Sequence, residues 1–254
     1  MRYGIISDIH GNLEALNAVL EELSKERVDR YVCLGDLVGY GANPNECVEL
    51  VRGLTDRVVA GNHDWAAVGM TDIAVFNPHA REAVLWTARC LTEAPRSYLK
   101  ELPLEVTDGE VLFVHATPEA PEEWHYILSP YEAGWYLDAM GRTQRVGERS
   151  DALRARICFI GHSHRPVTFA RDDDGRDLIL GTSFRIEPDW RYIVNAGSVG
   201  QPRDGDPRAC YAVFDAEEGT AEIKRIVYDI EKAQRKILWA GLPAVEAERL
   251  AYGE

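Results

Sequence analysis

Asp, Asn and His residues are concentrated in a few short motifs of this chain, and these side chains could together bind divalent metal ions. In chain order the motifs are Asp8-Ile9-His10, Gly35-Asp36, Gly61-Asn62-His63-Asp64, His115-Ala116 and Gly161-His162-Ser163-His164. Carboxylate, amide and imidazole groups without a thiolate suit Mn²⁺, Fe, Zn²⁺ or Mg²⁺. The motifs therefore predict the chemistry of a metal-dependent hydrolase.

Each motif follows a short apolar segment that is typical of a β-strand. These segments cover residues 3–6, 31–34, 58–60, 111–114 and 157–160. In open α/β sheets, ligands bind beyond the carboxyl ends of the strands. We therefore expect the motifs to meet at one rim of the fold.

The first 60 residues alternate predicted strands and helices, which favours a parallel sheet covered by helices. Asn12 is a good N-cap for a first helix, and Pro44 opens a second one that runs to about Gly53. Residues 65–102 have a helical pattern, with the longest helix beginning at Pro78, and form a predicted helical excursion near the mouth of the site. Asp108-Gly109 then predicts a hairpin between strands at 104–106 and 111–114.

The second half of the chain is predicted to be helical at 129–155 and rich in strands afterwards. The expected strands cover 157–160, 166–170, 177–180, 191–194, 210–214 and 221–228. A closing helix at about 230–240 precedes an apolar tail that could dock on its own domain or on a partner chain. We therefore predict one domain, 1–254, with an α/β fold: a four-layer α/β/β/α sandwich of two mixed β-sheets, ending in a C-terminal helix and tail at 230–254.

The composition restricts the location and the partners of the protein. Its formal net charge is −14, so it lacks the basic surface expected of a protein that binds duplex nucleic acid. No apolar segment approaches the ~20 residues of a membrane helix, and the five cysteines include no C-x-x-C pair. We therefore expect reduced thiols, a cytoplasmic protein and no membrane partner. The sequence leaves a homo-oligomer open.

Taken together, the five motifs resemble those of the calcineurin-like metallophosphoesterase superfamily, in a bacterial phosphodiesterase-like branch. The resemblance implies that Asp8, His10 and His164 bind one divalent ion and that Asn62, His115 and His162 bind a second, with Asp36 bridging the two. It implies Mn²⁺ as the preferred metal, with Fe, Zn²⁺, Ni²⁺ or Mg²⁺ as alternatives. One departure is that Asp36 is followed by Leu37, Val38 and Gly39, so Gly39 stands where the commoner family motif, G-D-x-x-D, has a second acid.

The resemblance also implies catalytic and substrate-binding roles. His63 would protonate the leaving oxygen, and Asp64 would orient His63 and keep it charged. Asn62 would contact the substrate as well as a metal, and Arg203 is the candidate cation for a substrate phosphate, unless it forms an ion pair with Asp204 or Asp206.

Two further segments have alternative interpretations. Residues 195–200 follow a predicted strand and either line the floor of the site or form a tight turn. Trp124 and Tyr126 either pack within the protein or stack on a nucleobase or an aromatic ester. The segments 65–102 and 117–130 are expected to decide the substrate.

The function that these residues imply is hydrolysis of a phosphodiester by a metal-bound hydroxide, with His63 as general acid and a small phosphate ester, such as a nucleotide, as substrate. Two alternatives use the same site for a phosphomonoester or for a dinucleoside polyphosphate. A third is a metal-binding interaction scaffold without catalysis, although such a scaffold has no need of His63 beside a full ligand set.

Overall fold

Two mixed β-sheets lie at the centre of the computed structural model, which describes residues 1–140 and 155–254. The strands are Arg2–Ile6 (β1), Arg30–Cys33 (β2), Glu105–Asp108 (β3), Val111–Val114 (β4), Ile157–Ile160 (β5), Val167–Asp172 (β6), Asp177–Leu180 (β7), Ser183–Arg185 (β8), Trp190–Asn195 (β9), Ala209–Asp215 (β10) and Thr220–Ile226 (β11). One sheet has the order β2-β1-β10-β11-β8 and the other β3-β4-β5-β9-β6-β7. Because β1 and β2 are parallel, as are β4, β5 and β9, the motifs that follow these strands leave the sheets on the carboxyl side.

Helices cover the outer faces of both sheets. They are Leu13–Lys25 (α1), Pro44–Leu54 (α2), Asn62–Ala67 (α3), Pro78–Cys90 (α4), Glu93–Glu101 (α5), Pro130–Met140 (α6), Ile230–Trp239 (α7) and Ala244–Glu248 (α8). Asn12 caps α1 by accepting a hydrogen bond from the backbone N–H of Ala15, as expected from its position. No helix in the two described stretches is long and apolar enough to cross a membrane.

The alternation of side chains along the strands produces the four layers. Ile5 and Val32 lie between the two sheets, whereas the next residues, Ile6 and Cys33, face the helices α1 and α2. In the second sheet Phe113 lies between the sheets and its neighbours pack against α6. The predicted α/β/β/α sandwich with two mixed sheets is therefore confirmed.

Several local predictions need correction. Residues 58–60 form no strand, because only a single bridge joins Val58 to Cys33. The predicted hairpin joins β3 and β4, but Asp108 belongs to β3 and the turn consists of Gly109 and Glu110. The predicted helical excursion contains the second half of α3 and all of α4 and α5, yet residues 68–77 lie outside helices. The part of the helix expected at 129–155 that falls on 141–154 lies outside the described residues.

The C-terminal tail packs on its own chain. Leu242, Ala247 and Leu250 are buried in one apolar cluster with Tyr40 and with Ala80 of α4. One residue of the tail, Glu246, accepts a hydrogen bond from Gln201, whose backbone carbonyl contacts the predicted ligand His164.

Candidate metal centre

The structure brings all seven predicted metal ligands to one place. The loop after β1 is held to the loop after β2 by backbone hydrogen bonds from Asp8 to Gly35 (3.0 Å) and from His10 to Asp36 (2.9 Å). The loop after β5 is similarly held to the end of β4, since the N–H of Gly161 donates to the carbonyl of His115 (2.9 Å). The seven side chains are at most 9% exposed.

Four of these side chains form a first group. The ligand atoms of Asp8, His10, Asp36 and His164 all lie within 4.8 Å of one another. The Nε2 atoms of His10 and His164 are 3.0 Å apart, and His164 Nε2 is 3.2 Å from Asp8 Oδ1. His10 Nε2 also lies 3.5 Å from Asp36 Oδ2.

A second group shares Asp36 with the first. The ligand atoms of Asp36, His115 and His162 again lie within 4.8 Å of one another. His115 Nε2 is 3.4 Å from Asp36 Oδ2 and 3.3 Å from the amide oxygen of Asn62. This is the arrangement expected if Asp36 bridges two ions and Asn62 completes the second set.

Backbone carbonyls orient all four imidazole rings of the two groups. His10 Nδ1 lies 2.9 Å from the carbonyl oxygen of Val38, and His115 Nδ1 and His164 Nδ1 make the same kind of contact with Leu34 (2.7 Å) and Gln201 (2.6 Å). A carbonyl oxygen only accepts, so Nδ1 carries the proton and Nε2 presents a lone pair. His162 is reversed, because its Nε2 lies 2.8 Å from the carbonyl of Trp124, which leaves Nδ1 as the free lone pair. Such outward hydrogen bonds are typical of metal-binding histidines.

The donor atoms of the two groups therefore fit a pair of divalent cations. Lone pairs of imidazole nitrogens and carboxylate oxygens face one another at 3.0–3.5 Å in a buried space, which is unfavourable unless positive charge lies between them. The pKa of His115 also indicates that positive charge is favoured at this position. Burial opposes its charged form, but the Asp36 carboxylate outweighs burial and raises the pKa of His115 to about 9.

The backbone of the site is strained where the ligands lie. Five of the predicted ligands have left-handed backbone conformations, with φ between 49° and 63°: Asp8, His10, Asp36, His162 and His164. Residues other than glycine rarely adopt such angles, at a cost of about 1–3 kcal/mol each, and they cluster at functional sites. The surrounding hydrogen bonds thus hold these side chains in positions that the local sequence does not favour.

Two glycines permit the close approach of the loops. A Cβ atom on Gly61 would lie 2.1 Å from Asp36 Oδ1, and one on Gly161 would lie 2.4 Å from Asp8 Oδ2. Any side chain at either position would displace a predicted ligand. At Gly61 and Gly161 glycine is therefore required by space rather than by turn geometry.

Comparison with known proteins identifies the family. The model of the calcineurin-like phosphoesterase superfamily domain matches residues 1–219. The chain belongs to this superfamily. Membership supports a phosphoric ester hydrolase with divalent metal ions.

Relatives that resemble the whole chain are also known. An uncharacterized protein of Methanocaldococcus jannaschii is 40% identical over 98% of this chain and 97% of its own length. The crystal structure of a metallophosphoesterase from Sphaerobacter thermophilus is 38% identical, with a TM-score of 0.82 over 100% of this chain and 99% of the other. A more distant relative is the symmetrical bis(5′-nucleosyl)-tetraphosphatase of Haemophilus influenzae, which is 23% identical over 62% of this chain and 67% of its own length.

Residues 195–200 support the loops that carry predicted ligands. Asn195 donates hydrogen bonds to the carbonyl of Gly161 (2.6 Å) and to Ser163 Oγ (2.9 Å), so it supports the loop that carries His162 and His164. Ser198 Oγ donates to the carbonyl of Asp8 at 2.8 Å. This segment therefore joins two of the three loops that supply the first group of ligands, the loops after β1 and β5.

The structure corrects the role predicted for Asp64. Its carboxylate accepts hydrogen bonds from the backbone N–H groups of Leu37 (2.8 Å), Val38 (3.2 Å) and Gly61 (3.0 Å). His63 is not its partner, since in the described part of the chain His63 Nδ1 is buried without a hydrogen bond. Asp64 therefore fastens the loop of Asp36 to the loop of Asn62. Burial, and then the nearby Asp36 carboxylate, raise the pKa of Asp64 to about 7.

His63 lies between aromatic rings beside the first group. Its ring centroid is 4.5 Å from that of Tyr40, 4.9 Å from that of His10 and 4.9 Å from that of Phe76. Burial lowers the pKa of His63 to about 4, which outweighs the opposite effect of Asp36. The carboxylate that was expected to partner His63, that of Asp64, binds backbone N–H groups instead.

Arg203 is placed next to the site, and it is held by a neutral partner. Its backbone N–H donates to the carbonyl of His164 (3.2 Å), and its guanidinium donates to Gln201 Oε1 (2.7 Å) and lies over the ring of Tyr40, 5.5 Å from the centroid. The alternative of an ion pair with its acidic neighbours is wrong, because those carboxylates bind other arginines: Asp204 pairs with Arg225, and Asp206 with Arg208 and Arg225.

The sequence analysis missed the residues that support Arg203. Gln201 donates to Glu246 Oε2 of α8 at 2.9 Å, and both side chains are about 1% exposed. Tyr40 covers His10 and His63. Only one signal was available, the aromatic residue between Gly39 and Gly41 close after Asp36. Glu246 belongs to no motif.

Trp124 and Tyr126 both contact the second ligand group. The ring of Trp124 packs edge-on against Trp65 and His115, so its role is packing. Tyr126 stacks on His162 with ring centroids 4.0 Å apart and planes at 16°. His79 and His125, which lie outside the motifs, are exposed, and neither belongs to a ligand group.

Proposed function

We propose that this protein is a dinuclear metal-dependent phosphoesterase that hydrolyses a phosphodiester. The observation that supports the proposal is the pair of buried ligand groups that share Asp36 and contain acceptors facing acceptors. Asp8, His10, Asp36 and His164 would hold one ion, and Asp36, Asn62, His115 and His162 the other. Mn²⁺ is the first metal to test, because carboxylate and imidazole donors without thiolates suit it.

Two divalent ions bound there would lower the pKa of a coordinated water and neutralise charge on the phosphoryl oxygens. Side chains of the protein would bind and orient the substrate. Asn62 lines the cleft beside the second ligand group and would contact a phosphoryl oxygen. Arg203 would add positive charge next to His164, where Gln201 holds its guanidinium.

His63 is our candidate for the general acid. Its ring lines the same cleft as Asn62 and touches His10 of the first group. A phosphate ester bound beside His63 brings negative charge, which favours protonated His63, so the substrate itself would promote loading of the proton. The proton would pass to the leaving oxygen as the bond from that oxygen to phosphorus breaks.

Hydrolysis of bis-p-nitrophenyl phosphate and p-nitrophenyl phosphate by metal-stripped protein tests the proposal. We expect that added Mn²⁺ binds at two ions per chain and restores cleavage of the diester. Asp36→Ala should abolish both metal binding and cleavage. Cleavage of the monoester alone would support the metal site but show that the substrate is a phosphomonoester. Absence of turnover with two bound ions, for any of Mn²⁺, Fe²⁺, Ni²⁺, Zn²⁺ and Mg²⁺, would contradict the proposal and favour a scaffold.

His63→Ala separates acid catalysis from metal binding. We expect two bound metals and a fall in kcat of ~10²–10⁴. Because a good leaving group needs less protonation, the loss should grow along a series of aryl esters as the leaving phenol becomes more basic. His79→Ala is the matched control, since His79 is exposed on α4. Metal loss in His63→Ala, or an equal loss for every ester, would contradict the assignment.

A dinucleoside polyphosphate is the second candidate substrate. The observation in its favour is the partial similarity to symmetrical bis(5′-nucleosyl)-tetraphosphatases, which extends over 62% of the chain in one relative. The shape and charge of the cleft separate the two candidates.

A further inference from the structure

An open cleft of about 450 Å³ begins at the predicted metal site. Asn62, His63 and His162 lie at its inner end, one wall is formed by 71–80 and the other by 123–126. This volume lies within the range of about 300–1,000 Å³ that small-molecule sites occupy. Because Asn62 and His162 line its inner end, a group bound in the cleft would lie next to a phosphate held at the predicted metal site.

Two aromatic rings provide flat surfaces in this cleft. Tyr126 has one face stacked on His162 at 4.0 Å, yet the residue is 48% exposed, so the opposite face is open. Phe76 lines the cleft from the other wall and packs on His63, with ring centroids 4.9 Å apart. A planar ring bound here would stack on Tyr126 with Phe76 beside it.

The charges in the cleft favour a neutral group with hydrogen-bond donors. Asp72 and Glu123 line it, and both are exposed. Glu123 accepts a hydrogen bond from His125 (2.7 Å), and Asp72 from the backbone N–H of Ala74 (2.8 Å), which leaves further acceptor capacity on each carboxylate. No lysine or arginine is among the described residues that line the cleft. The additional phosphates of a polyphosphate chain would lie near these carboxylates, with no cation in the cleft lining to offset the repulsion.

From these features we infer that the cleft binds a nucleoside joined to the rest of the substrate through a single phosphate. The base would stack on Tyr126, and its amino group and the ribose hydroxyls would donate to Asp72 and Glu123. Water would add its oxygen to phosphorus and release a proton to the solvent, the bond to the nucleoside oxygen would break, and that oxygen would take the proton from His63. The inference rests on the proposed function and names its substrate class, and it argues against a polyphosphate chain.

The test compares three substrates with the Mn²⁺-loaded enzyme. They are a dinucleoside monophosphate, the same diester with one base removed, and diadenosine tetraphosphate. We expect kcat/KM to be highest for the first. Stacking of a base on an aromatic ring at about 1–3 kcal/mol corresponds to roughly 5- to 150-fold in kcat/KM. The preference for the complete diester over its abasic analogue should have this size.

Variants of residues that line the cleft test whether it causes the preference for the complete diester. Tyr126→Ala should bring the ratio of kcat/KM for the complete and abasic diesters towards one, and Tyr126→Phe should restore it. Tyr131→Ala is the matched control, because Tyr131 is an exposed tyrosine on α6 that does not line the cleft. Phe76→Ala provides a second variant that does not contact a predicted ligand. Replacing Asp72 by Asn and Glu123 by Gln together should raise relative cleavage of the tetraphosphate about two- to tenfold.

The outcomes are distinguishable from those of the proposed function. If bis-p-nitrophenyl phosphate is cleaved but the complete and abasic diesters react equally, the nucleoside site is wrong and the phosphoesterase stands. If diadenosine tetraphosphate is the best substrate, the inference about charge is wrong. If no phosphate ester reacts with any metal, the proposed function itself fails.

Discussion

The Asp64 carboxylate joins the two loops that carry Asp36 and Asn62, and two substitutions test this role. Asp64→Ala removes every acceptor from the backbone N–H groups of Leu37, Val38 and Gly61, all of them buried. Asp64→Asn keeps the oxygen that accepts hydrogen bonds from the backbone N–H groups of Leu37 and Val38, but it places an amide NH₂ opposite the N–H of Gly61. The two variants therefore leave different numbers of backbone donors unpaired.

The expected losses follow from this count. A buried donor that loses its acceptor costs about 1–3 kcal/mol. Asp64→Asn should therefore reduce the free energy of unfolding by about 1–3 kcal/mol, and Asp64→Ala by about 3–9 kcal/mol. Since folded domains are stable by only ~5–15 kcal/mol, Asp64→Ala should fold poorly.

Urea unfolding at a fixed Mn²⁺ concentration measures these losses through the transition midpoint, provided that the slope is unchanged. Asp174→Asn, at an exposed position of the β6–β7 turn, should change the free energy by less than ~0.5 kcal/mol. We further expect Asp64→Asn to retain metal and much of its turnover. Wild-type stability together with a loss of kcat as large as in His63→Ala would refute this reasoning and return Asp64 to the predicted role of orienting His63.

Three further changes test the site and its support. Removal of metal by a chelator should lower the melting temperature, because the facing acceptors lose their cations, and Mn²⁺ at 1,000 times its Kd should restore about 4 kcal/mol per site, measured by calorimetry; an unchanged melting temperature would contradict the ligand groups. Gly161→Ala should abolish metal binding in a titration, since its Cβ would lie 2.4 Å from Asp8 Oδ2; wild-type affinity would show that the loops adjust. Glu246→Ala should raise KM for the diester several-fold, because Gln201 and Arg203 lose their support. Glu248→Ala, at an exposed position of the same helix, should leave KM unchanged. Equal KM values in the two variants would show that Glu246 does not support substrate binding.

The meeting of the motifs at one rim could be predicted because four of the five follow a β-strand within a few residues. A strand of four or five residues determines where the next side chains emerge, and parallel strands place their carboxyl ends on one side. This places Asp8, Asp36 and His115, whereas the assignment of each residue to a particular ion came from the family resemblance. The same reasoning failed for 58–60, where a single bridge replaces a strand, because an apolar segment of three residues does not specify pairing.

The roles of Asp64, Arg203 and Glu246 could not be predicted from local patterns. Asp64 adjoins His63 in the sequence, but its hydrogen bonds go to a loop 26 and 27 residues away. Arg203 has two aspartates within three residues and nevertheless binds Gln201, whose partner lies 45 residues further on. Adjacency in the chain is a poor guide to side-chain partners where loops from both sheets meet.

By itself, the sequence determined which chemical groups this protein brings to its site and which strands carry them, because residue type and the period of a strand are local properties. Only the tertiary structure decided how those groups act. The backbone carbonyls that orient His10 and His164, the left-handed conformations of the ligands, and the aromatic cleft between Phe76 and Tyr126 all arise from contacts between distant segments. Such contacts exist only after both sheets have packed together, so no local pattern in the chain encodes them.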